Sequence, residues 1–239
     1  MAARGLHDLG VERALAAEGF DTVIGIDEVG RGALAGPVSV GVAVFDLALL
    51  CAAEVPVGIH DSKQLDAASR TAATARVRSW AHASAVGSTA PAEIDALGMT
   101  LALSLAARRA LTEVVGSIGS TDRTMVLLDG KHDWLSAPLT LDCLGIFGPA
   151  ADVDLPPVRT VIKGDGSVPV IAAASIVAKV DRDERMIDLA EVHPQYGWES
   201  NVGYGTVHHR QAIAEHGPSV HHRRSFRLHT EPDAKRGTP

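Results

Sequence analysis

At 239 residues the chain can bury one good-sized core, and its 46% hydrophobic, 4% aromatic composition is ordinary for a soluble α/β protein. A net charge of −7 argues against an indiscriminate nucleic-acid coat protein. No apolar run reaches membrane-helix length and residues 1–20 lack a signal-peptide core, so a cytoplasmic protein with no membrane contact is expected.

The charge is uneven. From Lys163 onward ten Lys and Arg balance ten Asp and Glu, and seven of the eleven histidines follow residue 190. The C-terminal third is thus the more cationic part, compatible with a phosphate-backbone contact. Cys51 and Cys143 have no metal-ligand spacing and read as buried small hydrophobes.

In chain order, residues 9–17 look amphipathic. A β-branched run at 22–26 reads as a buried strand, and it ends in two adjacent carboxylates, Asp27 and Glu28. Glycines at 30, 32 and 36 frame a loop containing Arg31, and residues 38–45 then alternate with period 2, giving a second strand and an antiparallel hairpin. A nucleotide-binding glycine loop would have to open a helix, whereas Pro37 and the alternating valines demand a strand. Adjacent residues on a straight strand point to opposite faces. Glu28 therefore joins Asp27 only by strand-end twist or a bulge, and is otherwise a solvated carboxylate.

Residues 47–60 read as a connection, Asp66 as the N-cap of a helix over 67–81, and residues 83–88 as a strand. A helix from Pro91 carries a core stripe of Met99, Leu103, Ala106, Ala110 and Val114. Residues 124–128 end in Asp129 and residues 158–162 lead to Asp165, repeating the pattern of an apolar strand closed by an acid and a glycine. Ends of neighbouring strands converge on one crevice in an α/β sheet. Four carboxylates there repel unless cations neutralise them, and oxygen ligands favour Mg²⁺ or Mn²⁺ over zinc. Residues 131–157 form a long excursion of undisclosed purpose. Residues 171–189 form a helix on which Ser175 and Lys179 share a face, with Asp181 and Asp183 expected as surface charges. A loop with Tyr204 between glycines offers a ring that can stack on a sugar or base.

Taken together, Gly25-Ile-Asp27-Glu28-Val-Gly30-Arg31-Gly32, Asp61-Ser62-Lys63, Leu128-Asp129-Gly130, Lys163-Gly164-Asp165, Ala172-Ala-Ala-Ser175-Ile-Val-Ala-Lys179, Asn201-Val-Gly203-Tyr204-Gly205-Thr206 and His222-Arg-Arg-Ser-Phe226 resemble bacterial ribonuclease HII over residues 20–227. The resemblance implies an α/β, ribonuclease H-like fold: a mixed five-stranded sheet flanked by helices, with a C-terminal helical extension. It implies one catalytic domain over 1–227 and a disordered tail over 228–239. Asp27, Glu28, Asp129 and Asp165 would be the catalytic, metal-binding acids, with Mg²⁺ or Mn²⁺ as cofactor. Gly30, Arg31 and Gly32 would sense the ribose 2′-hydroxyl, Tyr204 would stack at the RNA–DNA junction, and Lys63, Ser175 and Lys179 would contact the backbone.

The implied activity is endonucleolytic cleavage of RNA in RNA–DNA hybrids and of single ribonucleotides embedded in duplex DNA, by a monomer. Two divalent ions about 4 Å apart can stabilise both the entering and the leaving oxygen, which predicts 3′-hydroxyl and 5′-phosphate ends. Rivals are a DNA-directed nuclease of the same superfamily, which needs no 2′-hydroxyl sensor, and a silent hybrid-binding module, which would lack the acids. Val29, Val202 and Gly98 depart from the family's usual alanine, lysine and asparagine. The missing lysine at 202 is expected to weaken backbone affinity.

Overall fold

The computed structural model describes residues 8–59, 67–118 and 120–228, with backbone alone for 67–71. Helix α1 (Gly10–Glu18) precedes strands β1 (Thr22–Val29) and β2 (Val38–Asp46). Next come α2 (Leu47–Ala52), α3 (Ala67–Trp80), β3 (Ala83–Thr89), α4 (Pro91–Val114), β4 (Thr124–Asp129), α5 (Leu141–Phe147) and β5 (Val158–Val161). Helices α6 (Pro169–Val192), α7 (Trp198–Asn201) and α8 (Val207–His216) complete the chain. The short α2, where a connection was expected, is capped by the Asp46 carboxylate, which accepts the Leu49 amide at 2.9 Å.

The five strands lie in the order β3-β2-β1-β4-β5, antiparallel on the β1–β2–β3 side and parallel from β1 to β5. Strand alternation divides the core. Val23, Phe45, Met125 and Leu127 face α1, α3 and α6, while Ile24, Ile26, Val40, Val42, Val126 and Leu128 face α4. Three strand glycines let the helices come close: a Cβ on Gly25 would sit 2.0 Å from the Val170 carbonyl oxygen, one on Gly41 2.1 Å from that of Ala174, and one on Gly87 1.9 Å from that of Ala106. The small residues 172–175 of α6 serve the same approach.

Helix α4 breaks at Gly98, whose φ of 72° and ψ of 165° lie in a region open essentially to glycine alone. The bend leaves Asp95 free to accept the amides of Arg224 and Ser225 at 2.8 and 2.9 Å, tying the C-terminal segment to α4. The 131–157 excursion is a second small core: Cys143, Phe147 and Ala150 pack on Leu105, and Arg108 donates to the carbonyls of Ala150, Ala151 and Val153. Leu228, placed at the start of the expected tail, is buried with Leu34, Ile213 and Trp198; residues 229–239 lie outside the described residues.

Candidate active site

The site is built where β1 and β4 end. Their parallel register runs to Ile26 opposite Leu128, so Asp27 and Asp129 stand side by side one residue further on. Both continue the α6-facing alternation. Asp165 arrives on the 3₁₀ turn Gly164–Gly166 between β5 and α6. That turn is pinned to Asp129, whose Oδ1 accepts the Gly164 amide at 2.7 Å and the Asp165 amide at 3.3 Å. Lys163, in left-handed backbone at φ 57°, makes the turn possible. Around Glu28 no bulge occurs, since β1 keeps regular register with β2 as far as Val29 opposite Ser39. Glu28 nonetheless lies within electrostatic reach of Asp129 and Arg31, so it is part of the acidic cluster and not a solvated strand end.

Burial dominates the electrostatics. It pushes the Asp27 carboxyl up to about 8, a Ser175 hydroxyl bond opposes the rise, and Glu28, Asp129 and Asp165 add to it. Burial likewise raises Glu28, whose Oε2 is buried without a hydrogen-bond partner. An orphaned buried carboxylate oxygen beside a second buried acid fits a divalent cation, as does the all-oxygen donor set. Among the described residues, no three His, Cys, Asp or Glu side chains yet stand grouped as a finished cage. Asp129 Oδ1 is turned to backbone amides and Asp27 Oδ1 accepts the Glu28 amide at 2.9 Å, which leaves the Oδ2 atoms as further oxygen donors.

The glycine loop divides into two kinds of glycine. A Cβ on Gly30 (φ 80°) would lie 2.0 Å from Arg182 Nε, and one on Gly36 (φ 79°) 2.1 Å from Met186 Sδ; both face inward. Gly32, by contrast, has nothing within 4 Å of where a Cβ would stand. The loop is held from beneath by two buried arginines that sequence reasoning missed. Arg182 of α6 donates to the carbonyls of Pro37, Ala35 and Val202 at 3.0, 3.4 and 3.0 Å. Arg223 donates to those of Gly36, Arg31 and Pro37 at 3.1, 3.0 and 3.0 Å. Burial pushes both guanidinium groups down, Arg223 to about 9, where the Arg182 charge adds to the effect. Carbonyl dipoles stand in for counter-ions.

The remaining expected contacts separate. Arg31 is exposed, with Nη1 3.4 Å from Glu28 Oε1. Ser175, expected on the backbone of a substrate, is only 4% exposed and donates to Asp27, because the glycine at 25 draws α6 onto β1. Lys179, one turn on, is largely buried and paired with Asp183, which is therefore not the surface charge expected; Asp181 pairs with Arg185 on the outer side. Lys63 lies outside the described residues, as do Asp61, Ser62 and the expected cap Asp66.

Tyr204 is 38% exposed, with the Arg182 guanidinium 5.5 Å from its ring centroid. Its carbonyl accepts from His209 Nδ1 at 2.9 Å. Because His209 Nε2 accepts the Trp198 indole N–H at 3.0 Å, the ring proton sits on Nδ1. Burial lowers His209, His221 and His222, the last to about 4. His209 and His222, part of the histidine excess that reads as cationic in sequence, are thus buried against Tyr196 and Trp198, where burial favours the neutral form.

Solved structures share this architecture. The RNase HII of a PCNA complex from Archaeoglobus fulgidus superposes with a TM-score of 0.61 at 22% identity, covering 88% of this chain and 98% of that one. Bst-RNase HIII in complex with Mn²⁺ gives 0.61 at 21% identity over 90% of this chain and 70% of its own. The protein has the ribonuclease H-like fold, a five-stranded mixed sheet flanked by helices with helices at its C-terminal end. Sequence comparison narrows the class: the family model Ribonuclease HII matches residues 24–229. The Ribonuclease HII of Streptomyces coelicolor is 44% identical over 217 residues, 90% of this chain and 82% of that protein. The chain belongs to the ribonuclease HII family, and so to the metal-dependent hydrolases acting on the RNA strand of RNA–DNA hybrids.

Proposed function

We propose that this protein cuts both long hybrids and single ribonucleotides embedded in duplex DNA, leaving 3′-hydroxyl and 5′-phosphate ends. The reading is carried by Asp27 and Asp129 standing side by side at parallel strand ends, with Asp165 and Glu28 in electrostatic reach. Asp27, Glu28, Asp129 and Asp165 would hold Mg²⁺ or Mn²⁺, which when bound would acidify the attacking water and offset charge on the entering and leaving oxygens. Ser175 orients the Asp27 carboxylate, and the Gly164 and Asp165 amides orient that of Asp129.

Gly32 lets the backbone approach the ribose, whose 2′-hydroxyl separates RNA from DNA, and Arg31 meets the adjoining phosphate. Gly30 acts behind it by seating the loop on Arg182. Tyr204 stacks on the deoxyribose that follows the ribonucleotide, while Lys63 adds cationic character along the backbone. One domain over 1–227 acts as a cytoplasmic monomer; the neighbour solved with PCNA makes a sliding clamp a natural partner to test.

The deciding experiment cleaves three duplexes with Mg²⁺ or Mn²⁺: one with a single ribonucleotide, one all-DNA, one a long hybrid. Both ribonucleotide-containing duplexes should be cut and the all-DNA duplex spared. Products ending in 2′,3′-cyclic phosphate would refute hydrolysis by water.

A further inference from the structure

Helix α6 touches the site twice. Ser175 bonds to Asp27, and Arg182, seven residues later, holds the glycine loop and lies beneath Tyr204. Seven residues are about two helical turns, some 10 Å along one face. The two loops that Arg182 joins are also bonded to each other. The Leu34 and Ala35 amides both donate to the Gly203 carbonyl, at 2.8 and 3.2 Å, and a Cβ on Gly203 would come within 2.4 Å of the Ala35 oxygen. Between them sits Val202, a β-branched residue at φ 41°, a costly backbone state that persists only when its surroundings impose it. Its amide donates to the Trp198 carbonyl at 3.0 Å and its own carbonyl accepts from Arg182 Nη1 at 3.0 Å. Arg182 thus contacts the glycine loop, the strained turn and the tyrosine ring together.

We propose that Arg182 is a positioning residue that fixes the Gly30–Gly32 loop and Tyr204 at a set spacing from the acids, so that ribose and following deoxyribose are read as one unit. The inference rests on the junction-cleaving function proposed above. A lysine at 182 keeps the charge but cannot bridge three carbonyls and underlie the ring at once.

The test compares wild type, Arg182→Lys, Tyr204→Leu and the double variant, with Mg²⁺, on a single-ribonucleotide duplex and on a uniform hybrid. Arg182→Lys should lose roughly 10- to 100-fold in kcat/KM on the single ribonucleotide and clearly less on the uniform hybrid, which offers no deoxyribose at most cuts. In the double variant the two losses should fall well short of multiplying. Losses that multiply, or that are equal on both duplexes, overturn the proposal. Should Arg182→Lys not fold, hydrogen exchange on Tyr204→Leu decides: the Leu34 and Ala35 amides should exchange faster, and unchanged protection there overturns the coupling. A wild-type protein that cuts neither duplex sinks the functional reading, and this one with it, before any variant is made.

Discussion

Asp27 and Asp129 stand next to each other across the parallel β1–β4 pair, each on the face packed by α6. Burial, with the neighbouring acids adding to it, makes the centre costly to ionise. A carboxyl raised in the folded state from 3.8 to about 8 binds a proton that the unfolded chain releases, so stability falls as pH climbs from near 4 towards 8. Without divalent cations, Asp27→Asn should therefore raise Tm by several degrees at pH 8 and change it little near pH 4, while abolishing cleavage. Thermal melts at the two pH values check this, and an unchanged Tm at pH 8 would contradict it. Mg²⁺ should recover the lost stability in wild type and not in the variant.

Gly30 and Gly32 should fail differently. Gly30→Ala places a methyl against Arg182 in left-handed backbone and is expected to cost about 2 kcal/mol or more in stability. Gly32→Ala meets open space, so Tm should hold while cleavage drops because the methyl occupies the ribose's place. Denaturant melts beside kcat/KM separate the two; equal destabilisation would count against the assignment.

Tyr204→Ala should impair cleavage at an RNA–DNA junction more than it loosens general duplex binding, since the ring is half-exposed and its loop is held by His209 and Arg182. Parallel cleavage and binding assays test this, and matching losses in both would remove the stacking role.

Ser175→Ala deletes a donor that favours the charged form of Asp27. The acid limb of the pH–rate profile should move to higher pH, with a stability loss of about 1 kcal/mol. An unmoved limb would mean that the hydroxyl merely packs.

The strands were legible because their apolar runs keep period 2 and stop abruptly at acids, as at Leu128-Asp129. So were the long helices, from the stripe of α4 and the small-residue start of α6. What stayed hidden depended on distant partners. Arg182 sits in a run of charges that reads as a solvated face, yet its acceptors Pro37 and Ala35 lie 145 and 147 residues away. Gly25 and Gly41 look like weak points in strands until a helix backbone is seen resting on them. Ser175 and Lys179 share a face as spacing predicted, but periodicity cannot say that the face is turned toward the acids instead of outward to a substrate. Residues 131–157 have no clean period, so their packing on α4 could not be read.

The bond from Arg223 to the Arg31 carbonyl spans 192 positions. On the ribosome, the acids on β1, β4 and the turn before α6 are all made long before residue 223 leaves the exit tunnel. Until then the glycine loop has Arg182 beneath it but not Arg223. A chain stopped before residue 223 thus carries all four carboxylates without the guanidinium that holds the Arg31, Gly36 and Pro37 carbonyls.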